Sequence, residues 1–464
     1  MWRAQPTRTI AEAVSIEQRT GDALTVADRR WLTPLLVVFV LKGLLLVAVI
    51  GPFTGHDEVD HFYYVARLAH GDGLGVVGKV DLPPQAAPYR AYVADFPHNA
   101  EVIQPPLYHL LLVPFYWLAP GGDEDRLYVL RLASVALGTA VVWLAYLTAR
   151  LIFPDDLWVR AGVPIAVALQ PQFAFEAVIV NHDILVIALS TLLLYLLLLW
   201  YPAGYSTRRL RWLGVVGGAG LWTKASFGLA LPVVVLAIGL AWRRRRGRVR
   251  ELVVSLFWSC GLALLIAAPW FVRSLWYYGD PTGARRLHEI PDYGTQASSL
   301  GSMLFSSLFW RGRLEDFWGN YGWRLVPFDP HVYNAVYLVW ALAGLGLLVM
   351  LVREAIARVR RRPSALSRFQ WTAIGLQALW IVLAVAGVLY VGTIQFTQSR
   401  FAFPAMVAFA VVSVLGFGQL VPRRVRPMLA PTLFVLLMAL NAITAIRFLI
   451  PYYYGVSGVT VLTK

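Results

Sequence analysis

Apolar runs near the length that crosses a bilayer, separated by short clusters of arginine, constrain this chain more than any other feature of it. A span needs about 20 apolar residues. Candidate spans fall at roughly 32–52, 128–149, 161–180, 184–201, 213–223, 226–242, 251–270, 332–352, 370–392, 401–420 and 429–450. Of the 464 residues, 58% are hydrophobic and only 14% charged, where a water-soluble domain carries roughly a quarter charged residues. Mean hydropathy is +0.61. Lipid therefore faces much of the surface, and the expected fold class is an all-α integral membrane protein with about eleven transmembrane helices.

The formal net charge of +15 does not point to nucleic acid, because the basic residues sit between the apolar runs as loop charges do in membrane proteins. The clusters are Arg29–Arg30, Arg150 with Arg160, Arg208–Arg209–Arg211, Arg243–Arg246 with Arg248 and Arg250, Arg353 through Arg368, and Arg423–Arg424–Arg426. If basic loops are cytosolic, an even number of crossings separates each neighbouring pair. The 31 residues between Arg211 and Arg243 must then go out and return, as a hairpin of two short helices with Lys224 near its apex. With that hairpin every basic cluster falls in the cytosol with the N-terminus, and the C-terminus falls outside.

Two long outer loops follow from this topology, at about 53–127 and 271–331. Segment 104–119 is apolar but short and interrupted by Pro105, Pro106 and Pro114, so it is expected as a half-embedded helix within the first loop. Residues 1–31 read as a cytosolic tail, disordered over 1–28, with no cleavable signal. Residues 32–464 read as one membrane domain without internal repeats. The lone Cys260 permits neither an intrachain disulfide nor a thiolate metal site.

The outer side carries the polar residues suited to chemistry. In His56–Asp57–Glu58–Val59–Asp60–His61, directly after the first span, helical spacing groups Val59, Phe62, Tyr63, Ala66 and Ala69 on one face. Asp57, Asp60, His61, Tyr64 and Arg67 fall on the other, so an amphipathic surface helix is expected with its carboxylates towards water. Carboxylates at a membrane boundary suit general-base work, since partial desolvation raises their basicity. Asp183, in Asn181–His182–Asp183, lies at a tight turn between spans, as either an N-cap or a functional group. Lys224, Arg273 and Arg400 are outer cations on separate helices, able to converge on a lipid-borne phosphate. Arg447 reads as a headgroup anchor, and the aromatic run 317–323 as an interfacial belt or a groove for sugar or lipid. His98, His109 and His288 show no metal-ligand spacing and read as loop residues. No metal ligand is assigned and no cofactor follows from the sequence; a divalent metal requirement is left open.

These residues resemble a known family. An acidic pair after the first span is similar to the catalytic loop of the GT-C glycosyltransferases, and HDEVDHFYYVARLAHG resembles a "PDE…HF…G" signature of a bacterial branch. QPPLYHLL, VNHDILVIAL, LWTKASFGLALP, RSLWYYGDPTG, FWGNYGW and QSRFAFPA are similar, in order, to patterns in bacterial relatives of protein O-mannosyltransferases and of the lipid A aminoarabinose transferase. Together they cover most of residues 51–405.

The resemblance implies an inner-membrane enzyme that takes a sugar from a polyprenyl-phosphate donor and transfers it, with inversion, to an acceptor hydroxyl on the outer face. It implies Asp57 as the base, Glu58 and Asp183 as its support or as acceptor ligands, and Lys224, Arg273 and Arg400 as ligands of the donor phosphate. His61, on the face of Asp57, joins the substrate-binding set. The acceptor is a lipid, a glycan or a protein. Two departures stand out: glycine–histidine replaces proline before the acidic pair, and no large C-terminal outer domain is expected, which leaves acceptor recognition to the loops. The rival from another class is a lipid or small-solute transporter or flippase, which intramembrane charges would suit. Transporters, however, usually show inverted repeats and a midplane site, and here the ionisable residues gather at one boundary.

Reporter fusions test the topology. Fusions at Leu127, Arg246, Ser299 and Lys464 should read outside, inside, outside and outside. A cytosolic signal from Lys464 would refute the crossing count, with the hairpin at Lys224 the first suspect.

Overall fold

A computed structural model describes residues 26–89, 97–290 and 297–455. The chain is a bundle of helices. The regular strand content among the described residues is the two-residue Val326–Pro327. The main helices are α1 (Val26–Val49), α2 (Glu58–Ala69), α3 (Leu107–Leu118), α4 (Asp123–Ile152), α5 (Leu157–Ala168), α6 (Pro171–Glu176), α7 (Asp183–Trp200), α8 (Thr207–Leu221) and α9 (Leu231–Arg245). After these come α10 (Val249–Tyr278), α11 (Ser307–Trp318), α12 (Pro330–Val359), α13 (Arg368–Gly392), α14 (Met406–Leu420) and α15 (Arg426–Tyr454).

Nine helices among the described residues are long and apolar enough to cross a membrane. Two segments expected as spans fall short. Segment 161–180 breaks at Leu169–Gln170 into α5 and α6, and the first limb of the hairpin is the 15-residue α8. The expected count of eleven is therefore not reached by length and apolarity. The break has a local cause: Gln170 precedes Pro171, whose ring disfavours helical backbone before it, and Gln170 adopts ψ 120°. Neighbouring helices satisfy the carbonyls so freed. Lys42 of α1 donates to Ala168 O at 2.6 Å, and Asn441 of α15 donates to Leu169 O at 2.7 Å. Elsewhere small residues let backbones touch. A Cβ on Gly346 of α12 would lie 1.8 Å from Gly416 O of α14, so only glycine fits that crossing.

Helix α1 begins at Val26, inside the segment expected to be disordered, and Asp28 lies 3.6 Å from Arg160. The remainder of the expected tail, residues 1–25, lies outside the described residues. Helix α3 has 12 residues, about 18 Å at 1.5 Å per residue and well short of the roughly 30 Å hydrocarbon core. Contacts tie the ends of the bundle together. At one end, Arg244 donates to Pro202 O and Gln370 to Ile152 O, which joins the basic connections. At the other, Tyr454 donates to Ala48 O, and the loops after α1 and α10 gather there with residues 394–401.

The largest correction concerns α2. Asp57, Asp60, His61 and Tyr64, expected to face water, are buried, Asp57 against the cavity. Helix α3 and the loop at 97–104 cover that face: Asn99 donates to Asp60 O, and the Asp60 carboxylate accepts from Ala100 N at 2.9 Å. A short helix reads as amphipathic whichever element covers its polar side, so periodicity alone misplaced the solvent.

Glu58 is buried too, in an ion pair. Arg131 of α4 donates to both its oxygens, at 2.7 and 2.9 Å, and also to Val47 O, Ile50 O and Gly51 O at the end of α1. Glu58 further accepts from Gly55 N and Val180 N. Arg131→Met should strip these acceptors of their donor and leave Glu58 uncompensated, at a cost of about 3–5 kcal/mol. Thermal unfolding in detergent should show a large fall in melting temperature, and Glu58→Gln a smaller one. Two unchanged melting curves would remove the pair from any supporting role.

Candidate functional site

Between the end of α1 and the start of α2 the chain must turn within a few residues. Asp57 makes that turn at φ 54°, ψ 10°, a left-handed conformation that Asp tolerates better than most residues. The turn separates two consecutive carboxylates. Glu58 points back to Arg131, while Asp57 lines a cavity of about 370 Å³. Non-glycine residues held in this region concentrate at functional sites.

Asp57 Oδ2 accepts from Arg400 Nη2 at 2.7 Å. Arg400 comes from the turn of 3-10 helix Ser399–Ala405 that precedes α14, and its Nη1 lies 3.6 Å from Asp183 Oδ2. Asp183 is the first residue of α7 but makes no capping bond; its carboxylate faces the cavity. Its Oδ1 accepts from Lys224 Nζ at 2.5 Å, and the same ammonium lies 4.8 Å from the Phe401 ring centroid. Two carboxylates and two cations from four separate segments thus form one chain of contacts. Asn181 fixes its position, donating to His56 O and accepting from Asp183 N.

Glu101, Gln104, His182 and Trp323 also line the cavity. Burial, and then the charge of Asp57, push the Glu101 carboxyl well above the usual carboxylate range. The other wall is apolar and comes largely from α13, with Trp380 and Tyr390, and from Leu229. The cavity therefore has a charged end and an oily flank.

Of the residues expected from sequence, Asp57, Asp183, Lys224 and Arg400 meet in this cavity. Three do not line it. Glu58 is spent on Arg131. Arg273 donates to Gly75 O and lies over the rings of Trp270 and Tyr277. His61 is wholly buried behind the cavity, where its Nδ1 lies 2.9 Å from His109 Nε2. His109, expected as a loop residue, is part of a helix and fully buried. His61, His109 and His182 each bring a ring nitrogen within 4.8 Å of the others. Burial, then the neighbouring His182 and His109, hold His61 well below the ordinary imidazole range. Arg447, expected as an anchor, lies 2.8 Å from Asp329.

Sequence reading passed over Glu101, His109 and His56. His56 lies 3.2 Å from Glu176, directly beside Asp57, where the resembled signature has proline. The signal for Glu101 in the sequence is a carboxylate three residues before Gln104–Pro105–Pro106. The aromatic run 317–323 divides: Phe317 packs among Trp340, Phe403 and Phe409, while Trp323 borders the cavity and meets the His56 ring edge-on.

The arrangement of helices is that of known membrane enzymes. It superposes on apo ArnT from Cupriavidus metallidurans with a TM-score of 0.50 at 18% identity, over 91% of this chain and 66% of that one. For the Archaeoglobus fulgidus oligosaccharyltransferase AglB, the TM-score is 0.52 at 14% identity, over 90% and 56%. The chain has the GT-C fold. Residues 104–272 match the family described as dolichyl-phosphate-mannose-protein mannosyltransferase. Among curated relatives, an undecaprenyl phosphate-alpha-4-amino-4-deoxy-L-arabinose arabinosyl transferase of Pseudomonas aeruginosa is 27% identical over 58% of this chain and 43% of its own length. A Pseudomonas fluorescens protein of the same description is 34% identical over 36% and 29%. The chain thus spans less than half the length of the curated relatives it matches.

The Asp57–Arg400 contact is open to direct measurement. In a double-mutant cycle of Asp57→Asn and Arg400→Gln, thermal unfolding should give a coupling energy of about 0.5–3 kcal/mol. Additive losses would mean that the two side chains do not support each other.

Proposed function

We propose that this GT-C chain is a glycosyltransferase that moves a sugar from a polyprenyl-phosphate donor to an acceptor hydroxyl. The observation that carries the reading is the cavity's charge pattern: a carboxylate, Asp57, bonded to Arg400, and a second cation, Lys224, held in the same cavity by Asp183, with an apolar wall alongside. A phosphate on a long hydrocarbon chain matches both ends of such a site. The names of the relatives support the donor class, since undecaprenyl phosphate stands in the description of the Pseudomonas enzymes and AglB was solved with a dolichol-phosphate. The transporter reading has no comparable support.

In this mechanism the donor phosphate draws Arg400 and Lys224 towards itself, which frees Asp57 from its counterion, Arg400. The acceptor hydroxyl gives its proton to Asp57 as its oxygen bonds to the anomeric carbon. The bond from that carbon to phosphate oxygen breaks, and polyprenyl phosphate leaves with the electron pair. Displacement in one step inverts the anomeric carbon, and no strong acid is needed for a phosphate leaving group. Asp183 holds Lys224 and Arg400 in place between turnovers, and Trp323 offers a face for the sugar. Glu58 serves as scaffold in this reading, and Arg273 stands outside the phosphate site.

The same reading places the site on the outer side of the inner membrane and the N-terminus in the cytosol. Its support is that the arginine-rich connections lie at the end of the bundle away from the cavity.

The test is sugar transfer by purified protein in liposomes supplied with defined polyprenyl-phosphate sugars. Asp57→Asn should lower turnover about 10²–10⁴-fold while donor binding persists. Near-normal turnover in that variant would exclude Asp57 as the base.

A further inference from the structure

Behind the charged end of the cavity, His61 of α2, His109 of α3 and His182 at the start of α7 come together although 48 and 73 residues of sequence separate neighbouring members. All three are at least 97% buried. A neutral imidazole carries one N–H, so the cluster holds three donors, yet a single hydrogen bond, between His61 Nδ1 and His109 Nε2, joins them. The other four ring nitrogens have no hydrogen-bond partner, and neither has Glu101 Oε2 beside them. That oxygen lies 3.7 Å from His61 Nε2 and 3.6 Å from His182 Nδ1. Buried polar groups left in this state call for an explanation.

We infer that His61, His109 and His182 form a binding site for one divalent transition-metal ion of the zinc class, with the fourth position left to water. Ligand atoms around a tetrahedral zinc, at about 2.0–2.1 Å from the ion, stand roughly 3.3 Å apart. The His61 Nδ1–His109 Nε2 separation of 2.9 Å lies near that edge, and one ring nitrogen from each of the three histidines falls within 4.8 Å of the others. Three imidazoles are a donor set that selects zinc over magnesium or calcium. His182 has the further arrangement of a ligating imidazole: Nδ1 faces Glu101, and Nε2 faces Asp183 Oδ1 at 3.4 Å, a carboxylate backing the ring from behind. Glu101 and His182 also line the cavity, which gives the ion a way in. The ion would tie α2, α3 and α7 together behind the charged end of the cavity. The site rests on this geometry and not on the glycosyltransferase reading.

The experiment is elemental analysis of the full chain, purified in detergent with a tag free of histidine and equilibrated with micromolar zinc. Wild-type protein should retain about one zinc per chain after desalting. His109→Ala and His182→Ala should each lower retained zinc roughly tenfold or more, whereas His288→Ala should leave it unchanged. Should a variant fail to fold, cobalt supplied to the wild-type protein still decides: an intense visible spectrum of a tetrahedral ion supports the site. Folded wild-type protein without retained zinc and with only an octahedral cobalt spectrum overturns it, as does undiminished zinc in both folded variants. A protein that holds zinc yet transfers no sugar would keep the site and sink the proposed function instead.

Discussion

The ion pair between Arg131 and Glu58 is the contact on which the site depends. Arg131 donates to three carbonyls at the end of α1, where the helix dipole is negative, and to both oxygens of Glu58. Glu58 in turn accepts from the backbone at Gly55 and Val180. One buried cluster therefore fixes the end of α1, the start of α2, the middle of α4 and the segment leading into α7. The left-handed turn at Asp57 is held between these fixed parts. With Glu58 anchored on one side, Asp57 has the other side left to it, which is the cavity.

Charge balance then shapes the cavity. Placing carboxylates away from bulk water is costly unless cations are near. Asp57 and Asp183 meet Arg400 and Lys224, so the four side chains neutralise one another across four segments. Such a site is charge-balanced without a ligand, and in the proposed function an incoming phosphate would compete for both cations at once. Glu101 lies at the edge of this balance, and burial, then the charge of Asp57, raises its carboxyl.

Breaks in the helices are compensated from neighbours, as a bilayer requires. The kink between α5 and α6 leaves carbonyls that Lys42 and Asn441 satisfy from two other helices. The break permits the segment at 177–182 to pass close to the turn at Gly55, where an added Cβ would lie 2.8 Å from Ile179. An unbroken span there would carry Asn181 and His182 elsewhere, and with them the support for Asp183.

Much of this was legible in the residues themselves. Hydropathy and the arginine clusters determine an all-helical membrane chain whose basic connections share one end, since the cost of burying backbone and charge in lipid leaves few alternatives. The placing of Asp57, Asp183, Lys224 and Arg400 on one side followed from the same pattern, while the GT-C resemblance came from short motifs such as HDEVDHF and QSRFAFPA. Tertiary structure decided the rest. Period alone does not distinguish water from a covering helix, so Asp60, His61 and Tyr64 read as exposed and are buried. Adjacent carboxylates in sequence look equivalent, and only the backbone turn at φ 54° sends Glu58 to Arg131 and Asp57 to the cavity. His61, His109 and His182 have no telling spacing because three different helices carry them, and only the packing of those helices brings their rings together.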